Sequence, residues 1–125
     1  MTEDQRERFA SALKRLSGDE ELLVQMAVMV SQDAVPVLAL LRQQISESSL
    51  DDAAATGHKL KGMFSTFETG SPVAELQDVI QVCRSGDSAA AQSMFAGLEP
   101  DLNVLLGELE LLSTSDDPSS MDRSS

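Results

Sequence analysis

Apolar residues recur along this chain at spacings of three and four, and β-branched residues do not gather into alternating runs. That period is helical. Phe9, Leu13 and Leu16 stand at i, i+4 and i+7 and predict a short helix from about Glu3 to Leu16, stopped by Ser17-Gly18. Gly18-Asp19-Glu20-Glu21 opens a second helix, with acids in the first turn where the macrodipole favours them. Leu22, Leu23, Met26, Val30, Val37, Leu38, Leu41 and Ile45 form its apolar stripe. Pro36 lies inside it and predicts a kink, or a split near Asp33 with Asp33 capping the second part. The pattern fades at Ser46-Glu47-Ser48-Ser49.

Ser49 with Asp52 has the spacing of a capping box. It precedes a third stripe of Leu50, Ala53, Gly57, Leu60, Phe64 and Phe67, which Glu68-Thr69-Gly70 ends. Ser71-Pro72 predicts the next start, Ser at N-cap and Pro at N1. That fourth helix buries Val73, Leu76, Val79 or Ile80, and Cys83, and stops at Ser85-Gly86. Asp87 caps a last helix towards Leu112, with the stripe Met94, Leu98, Leu102, Leu105, Leu109 and Leu112; Gly97 and Pro100 predict a kink or break in it. From Ser113 to Ser125 the Ser- and Asp-rich chain has almost nothing to bury and is expected to be a disordered tail. The expected architecture is all-α, an antiparallel four-helix bundle with a short additional N-terminal helix, formed by residues 1–112 as one domain.

Composition narrows the function. Nine Lys and Arg stand against 21 Asp and Glu, a formal net charge of −12. Such a surface repels nucleic acid and anionic lipid and suits protein partners. No apolar run approaches the ~20 residues of a membrane span, and Met1-Thr2-Glu3-Asp4 has no basic region leading into an apolar one. The expectation is a cytoplasmic monomer that binds neither nucleic acid nor membrane. The lone Cys83 falls on an apolar stripe and reads as a small buried hydrophobe.

The one histidine sits in His58-Lys59-Leu60-Lys61-Gly62. A neutral imidazole is a nucleophile at physiological pH. At ~100° per residue, with Gly57, Leu60, Phe64 and Phe67 defining the inward direction, His58 points roughly 130° away, towards solvent. Its helical neighbours are Ala54, Ala55, Lys61, Gly62 and Ser65, small except for the lysine. Gly62 faces away from the stripe and breaks local helix propensity by ~1 kcal/mol, and such breaks tend to mark function. A cation to meet negative charge and a gap for a bulky group suit phosphoryl transfer to and from His58.

Those residues resemble the histidine phosphotransfer (HPt) domain of two-component phosphorelays, whose core reads His-x-Leu-Lys-Gly. Leu16-Ser17-Gly18-Asp19-Glu20-Glu21-Leu22-Leu23 is similar to that family's entry to its second helix, and Arg84-Ser85-Gly86-Asp87 to the turn into its last. The resemblance spans about Phe9 to Leu112. It departs at Met63-Phe64, where small residues are usual, at one extra residue before Pro72, and at Pro100.

The resemblance implies that His58 Nε2 accepts a phosphoryl group from a receiver-domain phospho-aspartate, or from a kinase, and passes it to the aspartate of a response-regulator receiver. Lys61 would offset a phosphoryl charge of about −1.5 to −2, and Gly62 would give steric clearance. Gln81, with Gln77 as the alternative, would orient the imidazole through Nδ1. Lys59, Phe9, Leu13 and Met63 would bind the partner, with Leu16, Met26 or Met29 as further docking candidates. The chain has no Walker loop, nucleotide-binding fold or metal-ligand cluster. It would thus be a phosphocarrier without kinase activity or cofactor of its own, its partner receivers bringing Mg²⁺ and a histidine kinase supplying the pathway. Two alternatives stand beside this: the phospho-acceptor domain of a chemotaxis-type histidine kinase, and a four-helix interaction module that is never phosphorylated.

Overall fold

The computed structural model describes residues 1–114, all of whose regular structure is helical. There are six helices among them: α1 (Glu3–Arg8), α2 (Ala10–Arg15), α3 (Glu20–Ser46), α4 (Leu50–Phe64), α5 (Val73–Ser85) and α6 (Ser88–Ser113). α3 packs against α4 and α6, and α5 packs against the same two, so the four longer helices close a ring around one core. The hydroxyls of Ser48, just past α3, and Ser88, opening α6, lie 2.6 Å apart and tie the end of one to the start of the other.

Local chemistry explains most of the boundaries. Thr2 and Gln5 form a reciprocal capping box at α1. Asp19 accepts the Leu22 amide at 3.0 Å, and Asp87 accepts that of Ala90 at 3.0 Å, as expected at the starts of α3 and α6. Gly86 ends α5 at φ +83°, a left-handed conformation that glycine adopts without penalty.

Several expectations require correction. The N-terminal helix is two helices, broken at Phe9 (φ −107°, ψ 27°), whose side chain is buried in the core. α3 is neither split nor recapped at Asp33. Pro36 lies on its exposed side, where water can replace the amide that the Gln32 carbonyl loses. α6 likewise runs through Gly97 and the exposed Pro100. The Ser49 side chain makes no cap hydrogen bond, so the capping box with Asp52 is not formed. α4 stops at Phe64, although Phe67 is still buried. α5 starts one residue late, with Pro72 at N-cap, and the Ser71 hydroxyl instead donates to Glu75 at 2.7 Å. Both Val79 and Ile80 are buried, whereas Leu22 and Met94 are exposed. α6 extends to Ser113, and the tail expected after it lies, from residue 115 on, outside the described residues.

α3 also has the length and apolar composition of a membrane-spanning helix. One side packs into the ring through Leu23, Ala27, Ala34, Leu38, Leu41 and Ile45. The apolar residues in excess of that face lie on its outer surface. Cys83 is buried on α5, which pushes its thiol up from the ordinary range.

The N-terminal pair is held down by one cluster. Phe9, 1% exposed, meets Phe67 edge to face with ring centroids 6.2 Å apart. Arg8 lies 5.0 Å above the Phe9 ring and donates to Glu68 at 2.7 Å and to Glu108 at 3.1 Å, joining α1 to the α4–α5 link and to α6. Burial would push the Glu68 carboxyl up, but the Gly70 amide and the Arg8 guanidinium hold it below the ordinary glutamate range. A depressed carboxyl contributes stability that is complete above its unfolded-state pKa and lost as pH falls through the folded value. Urea-unfolding midpoints should therefore drop as pH falls from about 5 to about 3.5, and Glu68→Gln should flatten that slope. Phe9→Ala should cost about 3 kcal/mol in the same assay, with amides of α1 and α2 exchanging first.

Candidate functional site

α4 is oriented by its inward face. Gly57 is buried where a Cβ would stand only 3.1 Å from Ile80 Cγ1 of α5 and 4.0 Å from Leu41 of α3, so glycine permits that close approach. Leu60 and Phe64, one and two turns on, are fully buried. With these three turned inward, His58, Lys59 and Gly62 are exposed and Lys61 and Met63 half-buried.

The surroundings of His58 match the clearing expected of them. Ala55 is exposed and Ala54 is buried. Ser65 turns its hydroxyl back onto the Gly62 carbonyl at 2.9 Å instead of into the gap. A Cβ at Gly62 would meet nothing within 4 Å. Gly62 is thus not required by the packing of this chain, in contrast to Gly57 on the same helix. The electrostatics are also local. From Ala53 to Phe67 the chain holds two lysines and no carboxylate, within a protein of net charge −12.

The two lysines differ. Lys59 lies on the α3 side of α4, beside an open groove of about 570 Å³ lined by Asp33, Pro36, Val37 and Leu40 of α3 and by Met63. Lys61 lies on the α5 side, where its ammonium donates to Gln77 Oε1 at 2.9 Å. Gln77, weighed from sequence as a partner of the imidazole, is therefore a partner of the lysine. Gln81 is exposed one turn further along α5, and no hydrogen bond joins it to His58. Among the described residues no three His, Cys, Asp or Glu side chains gather to hold a metal ion.

Of the expected docking residues, Met63 lies in the groove, and Leu13 and Leu16 are half-buried against the core. Phe9 cannot serve: its ring is consumed by packing on Phe67. Of the exposed apolar residues of α3, sequence reasoning offered Met29 for docking but not Leu22, Val35 or Leu40; the four are 39 to 61% exposed. A signal was present, since Leu22–Leu41 carries a single charge, Asp33, in a chain of which 24% is charged. A further recess on the α3–α6 seam, lined by Arg42, Ile45, Gln92 and Phe95 among others, includes no residue of α4.

Comparison with protein-family models, with curated proteins and with solved structures gives no match.

The contrast between the two glycines yields a direct check. Gly62→Ala should stabilise the protein by up to about 1 kcal/mol, because helix propensity is gained and nothing is struck. Gly57→Ala should destabilise it, because Ile80 must shift. Thermal melts of the two variants should move in opposite directions.

Proposed function

We propose that this chain is a histidine phosphotransfer protein, its four long helices forming an antiparallel bundle of that kind with α1 and α2 as an N-terminal extension. The observation that carries the reading is the exposed His58, with Lys61 tethered on one side and an unpacked gap at Gly62 on the other. An outward imidazole without a carboxylate within four residues along its helix is open to an anionic electrophile.

In the proposed step, His58 Nε2 attacks the phosphorus of a receiver's phospho-aspartate. The N–P bond forms as the acyl O–P bond breaks, and the aspartate leaves as a carboxylate. The reverse displacement delivers the group to the aspartate of a second receiver. Such transfers depend mainly on positioning and on stabilising charge. Lys61 offsets charge on the phosphoryl oxygens, and Gly62 lets the partner's acidic pocket close over the imidazole. Gln81 is the proposed acceptor for Nδ1–H. The receiver supplies Mg²⁺, a histidine kinase feeds the relay, and the chain has no kinase activity of its own. We place it in the cytoplasm as a monomer between contacts.

The receiver would dock across α4 onto the largely apolar outer face of α3, whose one charge between Leu22 and Leu41 is Asp33. Met29, Pro36 and Leu40 offer apolar surface there, and Met29 and Met63 are side chains adaptable enough to serve more than one partner.

The test is incubation with phosphorylated receivers, followed by a search for acid-labile, base-stable label. Wild type should take label, and His58→Gln should take none. Gly62→Leu should stay folded while its transfer rate drops by about tenfold or more, the cost of obstructing close approach. Label that persists in His58→Gln, or none from any of several receivers, would sink the proposal and leave an interaction module.

A further inference from the structure

Among the described residues, three arginines are paired with carboxylates. Arg6 meets Glu20, Arg8 meets Glu68 and Glu108, and Arg42 meets Glu99. Two cations are held by neutral oxygens instead: Arg15 donates to the Thr66 backbone carbonyl at 2.7 Å, and the Lys61 ammonium donates at 2.9 Å to the side-chain amide of Gln77, with Lys61 and Gln77 both half-buried. No carboxylate pairs with Lys61 among the described residues.

We infer that Gln77 is a positioning residue for phosphoryl transfer, holding the Lys61 ammonium beside His58 while leaving its positive charge uncompensated. This rests on the proposed chemistry of His58. A lysine carries four flexible methylenes, and without a partner its ammonium is spread over many rotamers. A carboxylate at position 77 would order it but cancel much of the charge that a phosphoryl group needs. An apolar residue would leave the charge intact and the ammonium loose. A glutamine carbonyl orders it without neutralising it. An ammonium has three N–H donors. One is engaged by Gln77 Oε1, so two remain for oxygens on the phosphorus attached to His58. Gln77 needs no contact with the imidazole or the phosphoryl group for this role.

The experiment uses phosphoramidate, a small donor that needs no receiver. Nε2 forms its bond to phosphorus as the P–N bond of the donor breaks and ammonia leaves with the electron pair. Labelling is followed by intact-protein mass spectrometry, and thermal melts are recorded for every variant. Gln77→Met should slow labelling about threefold, and Gln77→Glu about fivefold or more while melting no earlier than wild type, since a new ion pair with Lys61 is gained. In a Lys61→Met background, Gln77→Met should produce no additional slowing, the coupling expected of a residue that acts through the lysine. A structural role would give the opposite pattern, with Gln77→Met slowing labelling equally with and without Lys61. That result, or wild-type rates in both Gln77 variants, overturns the inference while leaving His58 as the acceptor. Should Gln77→Met melt early, Gln77→Glu, of nearly the same size, decides alone. A wild-type protein that takes no label on His58 overturns both this inference and the reading beneath it.

Discussion

Everything that His58 can do depends on how α4 is rotated about its own axis. That rotation is set by the contact between the Gly57 backbone and Ile80, continued by the buried Leu60 and Phe64. A helix advances 100° per residue. Once Gly57 and Leu60 are turned inward, the residues between and beyond them have no freedom of facing. His58 and Gly62 are then on the outside, Lys61 leans towards α5, and Lys59 towards α3. A Cβ in place of the Gly57 hydrogen would press on the Ile80 side chain and disturb the packing beside the Lys61–Gln77 contact. The two glycines of α4 therefore serve opposite ends. One admits a neighbouring helix of the same chain, and the other leaves space that nothing in the chain fills.

The ring of long helices holds this arrangement still, and the N-terminal cluster completes it. Phe9 and Phe67 seal one end of the core, and Arg8 spans two glutamates from separate elements. A surface ion pair contributes little by itself. Arg8 is part of a half-buried network stacked on an aromatic ring, and it joins three segments distant in sequence. The cost of this seal is that Phe9 is lost as a docking residue. Exposed apolar residues lie instead on α3, beside the groove that Lys59 and Met63 of α4 also line.

Helix existence and type were legible in the sequence because the apolar period was strong and the caps were explicit. Asp19, Asp87 and Gly86 act as their residue types suggest. Neither proline splits its helix. Pro36 and Pro100 both lie on exposed faces of long packed helices, where a lost backbone bond is solvated and tertiary contacts on the opposite side keep the helix continuous. The short first segment failed in the reverse direction. Its helical pattern was real, but the backbone leaves helical geometry at the buried Phe9, which the periodicity does not signal. Leu22, Val35 and Leu40 of α3 were not singled out as surface because the helix carries more apolar residues than its inward face holds, and a stripe does not say which of the excess stay outside.

The exposure of His58, its small neighbours and the gap at Gly62 followed from local sequence alone, because they rest on helical geometry within five residues. The partner of Lys61 did not. Gln77 and Gln81 stand one turn apart on α5, and sequence spacing leaves both within reach of α4. Which of them meets the lysine is decided by the height at which α5 packs on α4, and that height comes from interdigitating side chains such as Ile80 over Gly57. Periodicity defines faces within an element. Only packing between elements settles which polar atoms meet across them.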